Sequence, residues 1–312
     1  MKYVLITGGA GFVASSLAES LLSTGNYYVI AIDNFLTGCK KHISDHPNYK
    51  FIKGDVNNYR DISAVMLNYR FDYVFHYAAV VGVLRTLDHP KMVLDDIMGL
   101  QHVFELSKNT GVERIFFSSS SEVYGEPVHL PQHEYVTPLN SRLPYAVVKN
   151  IGECFCRSYH DEFGLDYTIL RFFNTYGPRQ SQDFVVAKFL NAAVNNEAIT
   201  IYGDGSQTRT FCYIDDNLEF TRKILEEHLF VNDVVNVGNN KLTTVKELAE
   251  TIIRITESSS KITYLPPLKE GDMTRRQPDN TKMIAVLNRP LLKLEDGILN
   301  IINQSKRITQ TI

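Results

Sequence analysis

Cysteine is scarce in this chain and is nowhere arranged for chemistry. The four cysteines, Cys39, Cys154, Cys156 and Cys212, form no CxxC pair, which excludes the usual spacing of a zinc site or a dithiol redox motif. Cys154 and Cys156 stand two apart in a helical pattern, where side chains diverge, so reduced core or surface thiols are expected. An excess of charge is also missing: 32 Lys and Arg face 35 Asp and Glu, a net charge of -3. That excludes the global basic field that draws nucleic acid or an anionic membrane. Any anionic ligand has to be gripped locally. No apolar run approaches the roughly 18 residues of a membrane span. The opening MKYVLITGGAGF turns glycine-rich before the apolar segment of a signal peptide develops. The expected location is the cytoplasm, with no membrane and no nucleic-acid partner.

What remains is an ordinary globular composition, 44% hydrophobic and 21% charged over 312 residues, enough for one large domain or two modest ones. Residues 3–7, YVLIT, are short, apolar and β-branched, and read as a buried strand. Gly8-Gly9-Ala10-Gly11 follows at once, then FVASSLAESLLSTG, which reads as a helix closed by Gly25. Gly9, Gly11 and Ala14 satisfy G-x-G-x-x-G/A, and Gly8, Gly11 and Ala14 satisfy a related GxxGxxA spacing. Glycines there permit a tight turn and close approach of a pyrophosphate to backbone N–H groups, and the small residue at 14 lets the helix pack on the strand. The helix N-terminus adds a dipole that favours the anion. A second strand, YYVIAID, ends in Asp33. A carboxylate at that point accepts hydrogen bonds from adenosine ribose hydroxyls and repels a 2′-phosphate, so the cofactor expected is NAD.

Further strands are expected at Lys50–Lys53, Tyr73–His76, Arg114–Ser118 and Tyr167–Arg171, with helical patterns around 58–69, 90–110 and 144–163. Alternating β and α with apolar strands indicates a Rossmann-type α/β fold, a doubly wound parallel sheet covered on both faces. Functional segments then follow the carboxyl ends of strands, where HYAA (76–79), SSSS (118–121) and RFFNTYGPR (171–179) stand. After about residue 175 the elements become shorter and more loop-separated. The expected division is a nucleotide-binding domain over 1–175 and a smaller mixed lobe over 176–312, with segments able to cross between them.

Tyr145 and Lys149 stand four apart in RLPYAVVKN, on one face of a helix. A lysine ammonium beside a phenol favours the phenolate and lowers the tyrosine pKa. A tyrosine tuned in this way can take a proton from a sugar hydroxyl near neutral pH. Ser120 lies shortly before, in SSSSEVYG. A polar strand end is the plainer reading of Ser118–Ser121, and a packed, hydrogen-bonded histidine that of His76.

TGGAGFVASSL, DNFLTG, GDV at 54–56, HYAA, SSSSEVYG, PYAVVK, RFFNTYGPRQ, GDGSQTRTFCYIDD and NVGNN occur in this order. Together they resemble the extended short-chain dehydrogenase/reductase family, in its nucleotide-sugar epimerases, dehydratases and decarboxylases, over nearly the whole chain. The resemblance implies a tightly held NAD that is reduced and reoxidised within one turnover, and a nucleotide-diphosphate sugar as substrate. It implies cofactor contacts from Gly8, Gly9, Gly11, Phe12, Val13, Asp33, Asn34, Gly38, Asp55, Val56, Ala78, Ala79, Tyr145 and Lys149. It assigns Tyr145 as the base at the sugar C4 hydroxyl and Lys149 as the group that lowers its pKa. Ser120 would hydrogen-bond the C4 oxygen, with Ser121 and Glu122 beside it. Asn174, Arg209 and Arg276 would hold the diphosphate or sugar, where bidentate positive donors suit two phosphates. A turn cap for Asn174 and surface roles for the arginines are the plainer readings. A homodimer paired through the helices near 90–110 and 144–163 is also implied.

The reaction after C4 oxidation is less sharply marked. A 4,6-dehydratase of this family carries an Asp-Glu pair where this chain has Ser121-Glu122, which counts against dehydration. Serine-glutamate and the RRQPD segment resemble UDP-glucuronate decarboxylases. The HYAAVVGVLRTLDHP segment does not, and Tyr145-Ala-Val-Val-Lys149 is closer to the epimerases. C4 epimerisation and decarboxylation are therefore the leading expectations, with 4,6-dehydration or a non-catalytic NAD-binding regulatory protein as alternatives. Asp96 stands where relatives commonly have Asn, Ala14 replaces a third glycine, and the GWxP of the family is missing from a chain with no Trp.

Overall fold

The computed structural model describes residues 1–267 and 275–310. It opens with β1 (Lys2–Thr7), α1 (Phe12–Leu22), β2 (Tyr27–Asp33), β3 (Tyr49–Lys53), α2 (Tyr59–Asn68) and β4 (Tyr73–His76). Then come α3 (Val83–Asp88), α4 (Pro90–Thr110), β5 (Arg114–Ser120), a 3-10 turn over Ser121–Tyr124, α5 (Pro144–Phe163) and β6 (Asp166–Phe172). The apolar, β-branched strands lie at the centre of a seven-stranded sheet of order β11-β6-β5-β4-β1-β2-β3, where β11 is Asp233–Val237. Pairing from β6 through β3 is parallel. The order reverses between β1 and β4, whose last residues, Thr7 and His76, are partners in register. That reversal is where a doubly wound sheet opens a crevice at its carboxyl edge.

Local chemistry sets the helix ends. Both α4 and α5 begin with a proline, Pro90 and Pro144, and stop at a left-handed glycine, Gly111 and Gly164, the expected asymmetry of helix starts and stops. The first helix ends sooner than its pattern suggests. Ser23, not Gly25, is its C-cap, and Gly25 takes φ +73° two residues on. Leu5, Ile32, Val74, Phe104, Ile115 and Ile169 are among the residues of one core cluster under the sheet.

Two compact units emerge, with segments crossing the expected boundary at 175/176. One unit holds residues 1–125, 139–172 and 218–235; the other holds 126–138, 173–217 and 236–312. The first departure follows from β11, which extends the sheet beside β6 and draws residues 218–235 into the first unit. The second follows from backbone bonding of 126–138 to a distant partner. Gln132 N–H donates to Gln277 O at 2.7 Å, and Asp279 N–H to Gln132 O at 2.8 Å.

The second unit contains β7 (Thr175–Tyr176), α6 (Val185–Val194), β8 (Ile199–Tyr202), β9 (Thr208–Thr210) and β10 (Cys212–Tyr213). Then come β12 (Leu242–Thr244), α8 (Val245–Thr256), β13 (Ile262–Leu265), α9 (Thr281–Leu287) and α10 (Leu294–Gln310). Between β10 and β11, α7 (Ile214–Glu226) begins in this unit and ends in the first. Among the described residues, the second unit has three sheets of two strands each. No helix among the described residues is long and apolar enough to cross a membrane.

Candidate active site

The glycine turn leaves β1 at Gly8, which takes φ +68°. A Cβ at Gly8 would stand 2.9 Å from the Ala78 backbone, and one at Gly9 2.5 Å from the Ala31 Cβ. Glycine is thus required by the protein's own packing as well as by any ligand. The turn satisfies its own donors: Gly9 N–H bonds Ile32 O, Gly11 N–H bonds Gly8 O, and Ala10 N–H bonds Asp33 Oδ2 at 3.0 Å. Gly11 then caps α1 with no side-chain bond. The first intrahelical donor is Ser15, to Gly11 O, so the N–H groups at Phe12 and Val13 belong to the open end of the helix. This is a cradle for an anion. Ala14 is buried beneath it.

Asp33 ends β2, buried, with each carboxylate oxygen accepting one backbone N–H: Oδ2 from Ala10 and Oδ1 from Phe35 at 2.7 Å. Each oxygen retains a further lone pair. Gly38 leaves room for the carboxylate, because a Cβ there would meet both Asp33 oxygens within 2.9 Å. Asn34 donates to Asp55 Oδ2 at 3.0 Å, joining the ends of β2 and β3, with Val56 buried next to it. On the other side of β1, Thr7 Oγ1 accepts from Tyr77 and Ala78 N–H, both at 3.1 Å, and meets His76 Nδ1 at 2.9 Å. With two donors already on Thr7, its hydroxyl hydrogen goes to Nδ1, which leaves the His76 proton on Nε2. Burial, then the nearby Lys149, push the His76 pKa down to about 3. It is a neutral packing residue. Thr7, which ties the strand end bearing Ala78 and Ala79, was missed in sequence reasoning. The open helix end, the glycine turn and the carboxylate at the end of β2 fit a dinucleotide such as NAD.

Tyr145 and Lys149 rise from the first turns of α5. Tyr145 is partly exposed, whereas Lys149 is buried. The lysine Nζ lies 5.7 Å from the Tyr145 ring centroid and 5.2 Å from that of Phe117, and donates to Ser118 Oγ at 3.2 Å. Desolvation lowers the lysine pKa to about 8, against the pull of Asp96. Lys149 is therefore poised near neutrality, unlike an exposed lysine. Ser118, its hydrogen-bond partner, belongs to the SSSS segment expected at a strand end, but sequence reasoning assigned it no role of its own.

Ser120 ends β5. Its Oγ accepts from Glu122 N–H at 3.2 Å and starts the 3-10 turn that holds Ser121, Glu122 and Tyr124. Ser121 is buried and Glu122 is half-buried. Beneath this turn runs a network that sequence reasoning did not find. Arg171 on β6 grips Glu153 on α5 in a fork, Nε to Oε1 at 2.8 Å and Nη2 to Oε2 at 2.7 Å. Arg171 Nη1 donates to Tyr124 Oη at 2.9 Å, and Ser119 Oγ to Glu153 Oε1 at 2.7 Å. All four side chains are buried. Although burial alone would raise the Glu153 pKa, Arg171 and its other partners hold it below the ordinary carboxylate value. The network ties the tip of β5, the 3-10 turn, α5 and β6 into one rigid frame.

The remaining expected residues lie in the second unit. Arg209 sits on β9, buried, opposite Thr243 of β12, and donates from Nη1 to its neighbour Thr208 O at 2.8 Å. Arg276 is also buried. A parallel bridge joins Thr208 to Arg275, so Arg209 and Arg276 each stand one residue further along adjacent chains. Asn174 precedes β7, and its carbonyl accepts from Cys212 N–H at 2.9 Å.

Comparison with known proteins is consistent with this geometry. The sequence model of the NAD dependent epimerase/dehydratase family matches residues 4–238. UDP-glucuronic acid decarboxylase 1 of Danio rerio is 33% identical over 308 residues, 95% of this chain and 71% of that protein. The crystal structure of a UDP-glucose 4-epimerase from Thermotoga maritima, determined with UDP-glucose, superposes with a TM-score of 0.92 at 30% identity, covering 98% of this chain and 99% of that one. A UDP-glucuronic acid 4-epimerase from Bacillus cereus, in complex with UDP-glucuronic acid and NAD, gives 0.88 at 30% identity, covering 98% and 99%.

Proposed function

The chain belongs to the NAD dependent epimerase/dehydratase family, and from that membership we propose that it epimerises a nucleotide-diphosphate sugar at C4, with Tyr145 as the base. The observation that carries this reading is the Tyr145–Lys149 pair on one face of α5, with the lysine buried against Ser118 and Phe117. Bound NAD supplies the acceptor and donor of the C4 hydride. The chain's own residues do the rest. Phe12 and Val13 N–H, at the open end of α1, receive the cofactor pyrophosphate, and Asp33 receives the adenosine ribose. Asn34, Gly38, Asp55, Val56, Ala78 and Ala79 line the same groove. Lys149 holds a positive charge beside the Tyr145 phenol and favours its ionised form, so Tyr145 can take the C4 hydroxyl proton and later return it. Ser120 orients the C4 oxygen. Asn174, Arg209 and Arg276 bind the diphosphate end, which needs concentrated positive donors in a chain of net charge -3.

Epimerisation asks for no further acid or base, because hydride return to the opposite face completes it. Decarboxylation is the second reading, favoured by the Ser121-Glu122 pair and by the Danio rerio relative. Dehydration is disfavoured, since the position of its aspartic acid holds buried Ser121. Incubation with a panel of nucleotide sugars, read by mass spectrometry and NMR, tests the proposal. Unchanged mass with a C4 epimer supports it; loss of carbon dioxide supports the second reading, and loss of water refutes both.

Assembly as a homodimer through α4 and α5 is part of the proposal, supported by the exposed Met92, Leu94 and Met98 of α4 and Val147 of α5. Sedimentation showing only monomer would refute it. The four unpaired cysteines, two of them exposed, support a reducing compartment such as the cytoplasm.

A further inference from the structure

The proposed reaction uses neither Glu153 nor Arg171, yet both side chains are buried, a costly placement for charge. Glu153 continues the stripe that Tyr145 and Lys149 begin: at i, i+4 and i+8 the three share one face of α5. Its carboxylate is fully engaged. Oε1 accepts from Ser119 Oγ at 2.7 Å and from Arg171 Nε at 2.8 Å. Oε2 accepts from Arg171 Nη2 at 2.7 Å and from Arg157 Nη2 at 3.0 Å. Four donors occupy the acceptor sites of the group, so Glu153 has no lone pair left to take a proton from substrate.

Arg171 reaches further. Ser119 and Arg171 are register partners on β5 and β6, so their side chains leave the same face of the sheet. Arg171 Nη1 donates to Tyr124 Oη at 2.9 Å, and the guanidinium carbon lies 4.8 Å from the centre of the Tyr124 ring. Tyr124 ends the 3-10 turn that Ser120 caps. The ion pair therefore holds the Ser120 turn at one end and the Tyr145 helix at the other. The covalent chain does not supply that link directly, because residues 126–138, between the turn and α5, belong to the second unit. Where the chain rejoins the first unit it adds two long backbone bonds, from Asn140 N–H to Tyr124 O and from Ser141 N–H to Val123 O, both 3.4 Å.

We propose that Arg171 and Glu153 are positioning residues for the reaction: through Tyr124 and Ser119 they fix the Ser120 turn against the Tyr145 helix, so that both groups meet one sugar oxygen. This rests on the reading of Tyr145 as the base and of Ser120 as its partner at the C4 oxygen. Such positioning acts on kcat, because a displacement of about 1 Å at the reacting groups costs about 10²-fold.

Tyr124→Phe removes the hydroxyl of the turn and Ser119→Ala that of the strand, and each leaves the Arg171–Glu153 fork in place. Both variants and the double variant are run beside wild type on the nucleotide-sugar panel, at equal NAD loading and scaled to folded protein. Each single variant is expected to lose about tenfold or more in kcat, with KM and NAD affinity within about twofold of wild type. The double variant is expected to lose less than the product of the two, because both release the same frame. A kcat loss below about tenfold in either single variant overturns the proposal, as does a loss carried by KM. Losses that multiply in the double variant are two separate local effects and overturn it too. If one single variant does not fold, the other decides by the same criterion; if neither folds, Glu153→Asp, which keeps the charge and shortens its reach, is judged by it. Tyr145→Phe separates the two kinds of failure. If it keeps its rate, or if wild type acts on no member of the panel, the reading of Tyr145 falls and the proposal with it. If Tyr145→Phe is inactive while Tyr124→Phe and Ser119→Ala work at full rate, only the positioning role fails.

Discussion

Replacing Lys149 with Met should make the folded chain more stable while abolishing turnover. Burial lowers the lysine pKa from 10.5 to about 8, a gap of about 2.5 units, or about 3 kcal/mol at about 1.36 kcal/mol per unit. At pH 7 the lysine is charged in both states, so the folded state bears that full cost. Methionine removes it and fits the apolar space beside Phe117. The loss on the other side is the hydrogen bond to Ser118, worth about 1 kcal/mol. The net expectation is about 2 kcal/mol in favour of Lys149→Met at pH 7. The size of the difference depends on pH. Between pH 8 and 10.5 the unfolded chain binds the extra proton, so wild-type stability rises with pH through this group. The difference between the two proteins should narrow by about 2 kcal/mol from pH 7 to pH 9.5. Urea unfolding at both pH values, at matched NAD occupancy because bound ligand adds its own stability, reads the result. A variant less stable than wild type at pH 7, or a difference that does not change with pH, would refute the reasoning. Confirmation would make Lys149 a group whose placement costs stability for function.

The other expected outcomes concern the frame and the groove. Glu153→Gln leaves the buried Arg171 guanidinium without its counter-charge and should cost about 3–5 kcal/mol, read by urea unfolding at pH 7; a cost below about 1 kcal/mol would remove the network from any role in the frame. Because the Glu153 pKa is lowered by folding, the stability it contributes is present above pH 4.5 and is lost as pH falls through its folded-state value. Wild type, but not Glu153→Gln, should show that loss. Gly8→Ala puts a side chain at φ +68° and 2.9 Å from the Ala78 backbone, so it should cost about 1–3 kcal/mol and weaken NAD binding, with thermal unfolding and calorimetry as the readouts. Tyr145→Phe should retain NAD and lose about 10²–10⁴-fold in single-turnover rate; an undiminished rate would exclude the phenol as the base.

Much of the proposed groove is local in sequence, because its parts are neighbours along the chain. The glycine turn, the start of α1 at Phe12 and the i,i+4 spacing of Tyr145 and Lys149 are local, and the rules that read them are local too. Strand positions were also close: Tyr73–His76 matches, and β5 and β6 each extend slightly beyond the expected Arg114–Ser118 and Tyr167–Arg171. The frame was not legible. Arg171 reads as one more strand residue and Glu153 as one more polar helix position. Their fork exists because β5 and β6 are neighbours and α5 lies across them.

Which segments cross the expected division was not legible for the same reason. Nothing in the composition of residues 126–138 announces their bonds to Gln277 and Asp279, and nothing in 218–235 announces that β11 completes the sheet beside β6. Turns, caps and periodicity are energies of residues close along the chain, and these alone determined the α/β alternation, the glycine turn and the tyrosine-lysine pair. Only tertiary packing decided which charges were buried together. It brought Ser118 to Lys149 and Arg171 to Glu153, because desolvation and electrostatic coupling act through space and have no signature in sequence order.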